Sequence, residues 1–301
     1  MAMTAGTSCR TAVVTGATSG IGRQVASILA AKGLTVLGMG RSAQRCSAAE
    51  CEVRAEAGHE RVHFLAADIS SLAEVRRAAA WVLDRAPSLD VLVNNAGTFT
   101  LDRRLTVEGL ETQLVVNWLS AFLLTGLLEG PLGRAGGARI VNLSSGSHFA
   151  GRMHWDDLGL SRGYMGLAAY DQSKLAMALF TAELARRYPG RSQPCAYAVD
   201  PGLVRTEIGA KGNGALVRLV WKIRTRGGIS ARQAAESVCW CAVSPAAAGL
   251  SGRYWKNCRE VEASSEARDP AAARRLWEVA ERMSGLEWPS GRLRTAAGLI
   301  A

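Results

Sequence analysis

Lysine is scarce in this chain of 301 residues: there are five, against 31 arginines. An arginine skew of this kind reflects nucleotide composition as readily as function, so the formal charge of +10 is not by itself evidence of a polyanionic partner. A nucleic-acid surface needs a basic stripe with interleaved aromatics. Most of the arginines instead alternate with Glu and Asp on helical faces, and no nucleic-acid partner is expected. Histidine is limited to positions 59, 63, 148 and 154, and the seven cysteines (9, 46, 51, 195, 239, 241, 258) form no CxxC pair. Cys239-x-Cys241 is too close for a chelating pair, so neither a disulfide framework nor a metal site is expected, and the thiols read as free and buried. Long apolar runs are also missing, because Gly, Arg or polar residues interrupt each one before it reaches the length of a membrane span. The first residues carry no secretory pattern, and the expectation is a soluble, cytoplasmic protein. Linkers rich in Pro or Ser, repeats and low-complexity segments are absent, which favours one large domain. With 48% hydrophobic residues, the composition excludes intrinsic disorder.

What is present is an alternation of short apolar runs with amphipathic stretches. Strands are expected over 11–15, 34–39, 62–66, 91–93, 138–143 and 196–199. Helices are expected over 21–32, 72–85, 107–128, 170–188 and 230–243. That order predicts βαβ units with right-handed crossovers: an α/β fold with a doubly wound parallel sheet and helices on both faces. A final helix over 274–283 should turn Leu276, Val279 and Ala280 inward, and residues 286–301 lack periodicity and read as a poorly ordered tail.

The first strand runs into Thr15-Gly16-Ala17-Thr18-Ser19-Gly20-Ile21-Gly22 and then a helix. Glycines at a strand-to-helix turn let the backbone approach a pyrophosphate, whose charge is met by the helix N-terminus. An acid about 20 residues on would bind an adenosine ribose hydroxyl. Here the second strand ends at Arg41-Ser42, and no Asp or Glu appears before Glu50. A guanidinium at that place suits a 2′-phosphate, so NADP(H) is expected over NAD(H).

Tyr170-Asp-Gln-Ser-Lys174 puts a phenol and an ammonium one helical turn apart. A nearby ammonium favours phenolate and should lower the tyrosine pKa, making it an acid/base near neutrality. Ser144-Ser145, at the end of the strand before it, offers a hydroxyl to a substrate oxygen.

The joint order of TGxxxGIG, Asn94-Asn95-Ala96-Gly97, Ser145, YxxxK and Asp200-Pro201-Gly202 resembles the short-chain dehydrogenase/reductase family. Together with Gly202-Leu-Val204-Arg-Thr206 and Gly252-Arg-Tyr254-Trp255, it is most similar to the retinol-dehydrogenase-like branch. The resemblance implies a Rossmann-type domain over 8–285. In it Tyr170 is the acid/base, Lys174 tunes it and holds the nicotinamide ribose, and Ser145 orients the reacting oxygen. It further implies that Asn117 holds a relay water and that Asp68, with Ile69, contacts the adenine. Gly16, Thr18 to Gly22, Arg41, Ser42 and Asn95 to Gly97 would border the cofactor, and Pro201, Gly202, Val204 and Thr206 would close over the nicotinamide. Structural readings stand beside two of these: a hydrogen bond that bends a helix for Asn117, and strand-holding for Asn94. A homodimer through the two helices carrying Asn117 and Tyr170 is a family habit.

One segment departs from the simplest members, and a second follows the Pro-Gly motif. The 25 residues from Ser145 to Tyr170 make a longer gap, whose His148 and Trp155 are candidates for one substrate wall, while His148 and His154 read either as an extra base or as surface. The resemblance makes residues 208–228 the expected second wall, with Trp221 a candidate contact. Their apolar side chains predict an apolar alcohol, ketone or aldehyde as substrate, while the basic run 211–226 would also suit peripheral contact with an anionic membrane or a docked helix with solvated arginines. Reduction of a carbon–carbon double bond, as in the light-dependent protochlorophyllide reductases, is an alternative reaction. A non-catalytic NADP-binding regulator is an alternative class, against which the intact Ser145, Tyr170 and Lys174 argue.

Overall fold

Largely apolar runs, buried on both faces except at the β3 edge, form the centre of the molecule: β1 (Thr11–Thr15), β2 (Thr35–Gly40), β3 (Val62–Ala66), β4 (Val91–Asn94), β5 (Arg139–Leu143) and β6 (Cys195–Asp200). With β7 (Arg253–Lys256) and β8 (Arg259–Val261) they make one sheet in the order β3-β2-β1-β4-β5-β6-β7-β8. A computed structural model describes residues 9–190, 192–204 and 227–288. Pairing is parallel throughout except for β7 with β8, a hairpin whose turn residues Asn257 and Cys258 have φ of 50° and 59°. Such left-handed pairs close a two-residue turn, and this antiparallel edge was not legible as a strand. Among the described residues the helices are α1 (Gly20–Ala31), α2 (Ala43–Ala57), α3 (Leu72–Arg85), α4 (residues 112–127), α5 (Glu129–Arg134), α6 (Gly166–Arg187), α7 (Ala231–Val243) and α8 (Pro270–Ser284).

Alternation along the strands feeds two cores. Val13, Leu37 and Leu92 point to a layer built with α3, α4, α6 and α8, while Ala12, Val14 and Val93 point to a layer with α1 and α7. The strand order reverses between β1 and β4, which opens a crevice at the C-terminal strand ends.

Several expected boundaries move. The helix expected from residue 107 starts at Thr112, because Gly109 (φ +77°) turns the chain and Leu105 bridges to Glu111. Glu111 then caps the new start, its carboxylate accepting from Gln113 N and Leu114 N. The helix carrying Tyr170 begins one turn earlier, at Gly166. α2 escaped the periodicity reading because only Cys46, Ala49 and Val53 are buried on it, yet its ends carry the ordinary signals: Ser42 as N-cap and Gly58 (φ +71°) at the C-terminus. In α8, Leu276 and Ala280 are buried as expected and Val279 is half-buried, while Trp277 is buried as well.

Packing also runs past residue 285. Trp288 is buried, with ring centroids 4.6 Å from Trp277 and 5.1 Å from Phe122, and its indole N–H donates to Tyr188 Oη at 2.8 Å. The first residues of the expected tail are therefore docked on α4 and α6, and 289–301 lie outside the described residues. Truncating Trp288 to Ala is expected to cost about 3 kcal/mol of stability, the usual range for a buried aromatic, measurable as a lowered urea midpoint.

Candidate active site

The glycine turn is built to keep side chains out of the crevice. Gly16 has φ +67°, and a Cβ on Gly22 would stand 2.3 Å from both Gly16 O and Asn95 Nδ2. Asn95 is the strut behind it: its Nδ2 donates to Thr15 O (2.7 Å) and Gly16 O (3.3 Å), while Thr15 Oγ1 accepts from Asn95 N and Ala96 N, each at 3.0 Å. A Cβ on Gly40 would meet Thr18 Cγ2 at 2.3 Å, so the end of β2 passes directly beneath the turn. The first turn of α1 holds no acid, leaving the positive end of that helix to face the cleft. The result is a bare backbone cradle of the kind a pyrophosphate fills.

A cleft of about 820 Å³ runs from this cradle to the end of β5. Gly16, Thr18, Ser19, Gly20, Ile21, Gly22, Arg41, Ser42, Asp68, Ile69, Asn95, Ala96, Gly97, Tyr170, Lys174 and Pro201 line it, so most of the expected cofactor set is brought together. Gly202 and Val204 are not among its lining residues: Gly202 N donates to Asp200 Oδ1 at 2.9 Å, and Val204 is buried in a bridge to Ile229. Thr206, Trp221 and the rest of 205–226 lie outside the described residues. Arg45 was missed. It lines the cleft one turn along from Arg41, and the signal was its i+4 spacing at the start of a capped helix. Arg23 and Arg54 are paired with glutamates, whereas among the described residues no ion pair engages Arg41 or Arg45.

At the other end, Tyr170 stands edge-on to Phe99 with centroids 5.7 Å apart, and Lys174 Nζ lies 5.6 Å from the Tyr170 ring centre. Lys174 is buried, and its ammonium donates to Leu143 O at 3.0 Å. Burial pushes the Tyr170 phenol up to about 12, with the Asp171 and Asp200 carboxylates adding to the rise and a hydrogen bond with the Ser145 hydroxyl opposing it. Burial brings Lys174 down to about 8 against the pull of Asp200. The expected lowering of Tyr170 is thus reversed in the protein alone: desolvation of the phenol outweighs an ammonium that is itself desolvated. The Tyr170 phenol therefore holds its proton at neutral pH, and Lys174 is charged below about 8.

Ser145 N-caps a 3-10 turn (Gly146–Phe149), its Oγ accepting from Ser147 N at 3.2 Å. Ser144 Oγ donates to Lys174 O at 3.0 Å and ties this turn to α6. Asn117 sits in a π-helical stretch (Val115–Leu119) of α4 and is fully buried. Its Oδ1 accepts from Thr98 N (2.7 Å), and its Nδ2 donates to Thr98 O (3.0 Å) and Ser173 Oγ (2.9 Å). Ser173 Oγ in turn donates to Tyr170 O at 2.7 Å. The side chain therefore clamps the helix of Tyr170 to the loop after β4. Asn94 holds strands: its Nδ2 donates to Asn142 Oδ1 at 2.8 Å and to Thr125 Oγ1 at 3.2 Å.

The long gap does not wall the cleft, and two expected substrate contacts are corrected. His148 is fully buried; its Nε2 accepts from Ser264 N (3.1 Å), which puts the ring proton on Nδ1, where it donates to Ser145 O (2.8 Å). With both nitrogens used it is a strut beneath Ser145, neither a base nor a wall. The 3-10 turn carries it inward, which no periodicity shows. Trp155 lies under the Arg275 guanidinium at 4.5 Å, against α8, and His154 is exposed. Replacing His148 with Leu is expected to cost about 2 kcal/mol by orphaning Ser264 N–H and Ser145 C=O. Burial holds His148 below its usual pKa, so the wild type keeps this contribution above roughly pH 6.5 and loses it as pH falls, a slope the variant should lack in unfolding titrations.

Comparison with known proteins agrees with this geometry. Residues 10–215 match the short chain dehydrogenase family. The chain is 38% identical over 290 residues to human (Homo sapiens) retinol dehydrogenase 13, covering 94% of this chain and 87% of that protein. It is 38% identical to Mus musculus polyprenol dehydrogenase, covering 92% and 84%. A crystal structure of an uncharacterized protein from Mycobacterium Paratuberculosis superposes with a TM-score of 0.71 at 33% identity, over 93% of this chain and 95% of that one. The glycine cradle, the Ser145–Tyr170–Lys174 cluster and these likenesses have one common explanation: the chain belongs to the short-chain dehydrogenase/reductase family, oxidoreductases that act on alcohol or carbonyl groups with a nicotinamide cofactor.

Proposed function

We propose that this protein is an NADP(H)-dependent oxidoreductase that interconverts an apolar alcohol with its aldehyde or ketone. The observation that carries the reading is the placing of Tyr170, with the Ser145 hydroxyl hydrogen-bonded to it, and Lys174 at one end of a dinucleotide-sized cleft whose other end holds Arg41 and Arg45. Two guanidiniums with no ion-pair partner among the described residues suit a 2′-phosphate, while the end of β2, where an acid would hold a ribose diol, carries Arg41-Ser42 and no acid before Glu50. Leu101 (42% exposed), Met165 (65%), Leu167 (50%) and Leu203 (46%) flank the segments that carry Tyr170 and Pro201, which supports an apolar substrate. Relatives named for retinol and polyprenol point to the same class.

The bound nicotinamide would supply or accept the hydride. In reduction Tyr170 donates its proton to the carbonyl oxygen and Ser145 fixes that oxygen by hydrogen bonding. Lys174, charged below about 8, favours the phenolate left behind. Asn117 and Ser173 hold the helix that aims these groups.

The test is turnover of NADPH with decanal, retinal and an apolar enone, with the products identified by chromatography. Alcohol products support the reading. A saturated carbonyl from the enone would replace it with double-bond reduction, and nucleotide binding without turnover on any of them would replace it with a regulator. Among the described residues no helix is long and apolar enough to cross a membrane. A cytoplasmic site is in keeping with free cysteines. Peripheral contact through 211–226 is testable by co-sedimentation with anionic liposomes.

A further inference from the structure

Asp200 has no part in the mechanism above, yet its side chain is only 5% exposed. Strand register explains where it stands. Leu143 of β5 lies opposite Val199 of β6, and Asp200 lies opposite Lys256 of β7. Lys174 Nζ is bonded to Leu143 O, and Asp200 Oδ2 meets Lys256 Nζ at 3.0 Å. Ammonium, carboxylate and ammonium therefore follow one another along the C-terminal edge of the sheet. A Cβ on Gly146 would lie 3.4 Å from Asp200 Oδ2, which sets the carboxylate against the backbone just after Ser145. The two lysines differ in surroundings: the Lys256 side chain is 45% exposed, whereas Lys174 is 3% exposed and, among the described residues, has no ion-pair partner of its own.

We propose that Asp200 is the counter-ion that keeps the buried Lys174 protonated, and that Lys256 sets its strength by drawing off part of the carboxylate's field. Burying a lone ammonium favours its neutral form, and an acid of opposite sign nearby is what restores the charge. The charged and titratable groups around this carboxylate are Lys174 and Tyr170 of α6, with Asp171 beside them, His148 of the 3-10 turn, and Tyr254 and Lys256 of β7. His148 is held neutral by burial and adds no charge. Asp200 raises both Lys174 and Tyr170, so its removal makes both give up their protons at lower pH. Asp200 and Lys256 are thus positioning residues for charge. The consequence for turnover, though not the ionisation itself, rests on the reading of Tyr170 and Lys174 as the acid/base pair.

With five lysines in the chain, the ionisation can be read directly. Full-length protein labelled with [ε-¹³C]lysine, with the Lys174 signal assigned by its loss in Lys174→Arg, is titrated by NMR. The wild-type midpoint is expected near 8. Asp200→Asn should lower it by about one pH unit and Lys256→Met should raise it by about half a unit. In the double variant the Lys256 effect should shrink to less than half. A Lys174 midpoint unmoved in Asp200→Asn, or a Lys256→Met shift of full size without Asp200, overturns the proposal. Lys256 is on the surface, so its variant tests the idea even where Asp200→Asn folds poorly. The alkaline limb of decanal reduction should follow the same order. If the midpoints move but Tyr170→Phe still turns over, the catalytic reading has failed and the counter-ion has not.

Discussion

Replacing Tyr170 with Phe is expected to lower kcat for NADPH-dependent decanal reduction by about a thousandfold while leaving NADPH affinity within about twofold. The substitution keeps the ring, and with it the edge contact to Phe99 at 5.7 Å and the Lys174 ammonium 5.6 Å from its centre. Only the hydroxyl, with its proton and its bond to Ser145, is removed. General acid catalysis contributes roughly 10²–10⁴ in rate, and His148, with both ring nitrogens engaged, does not replace the lost donor. Rapid-mixing measurement of NADPH oxidation, together with nucleotide titration, separates the two effects. A variant with wild-type kcat would remove Tyr170 from the reaction.

Reversing the charge at Arg41 is the second large effect. Arg41→Asp is expected to shift the ratio of NADPH to NADH affinity by about a hundredfold toward NADH, as one or two charge-assisted hydrogen bonds are lost and a repulsion replaces them. The site tolerates the change: Arg41 is exposed, and it precedes Ser42, the N-cap of α2, where a carboxylate interacts favourably with the helix dipole. Arg45, one turn on, keeps part of the phosphate affinity, so Arg41→Asp/Arg45→Ala should shift the ratio further. Competitive titrations with both nucleotides check this, and an unchanged ratio would contradict the assignment of the cleft's far end.

The doubly wound sheet was legible because parallel strands buried on both faces read as unbroken apolar runs, and α3 was placed over 72–85 because its stripe is regular. α2 was not, since its buried stripe is only Cys46, Ala49 and Val53. The catalytic cluster was legible from chemistry at fixed spacing, as with Tyr170 and Lys174. Residues whose work depends on another element were silent. His148 looks like a loop histidine until Ser264 is seen to donate to it from the segment after β8. Asp200 reads as part of a turn until register sets it against Lys256. Trp288 follows an ordinary helix end at Gly285, and only the aromatic cluster around Phe122 and Trp277 explains its burial. The tyrosine pKa was misjudged for a related reason, because spacing reports the neighbouring ammonium but not the burial of both groups.

The most direct test of the account is a titration of the purified protein with NADPH and with NADH, followed by energy transfer from its eight tryptophans to the reduced nicotinamide, with decanal then added to the complex. The account predicts NADPH bound at least tenfold more tightly than NADH, and oxidation of the bound NADPH with formation of decanol. Binding of neither nucleotide would contradict it.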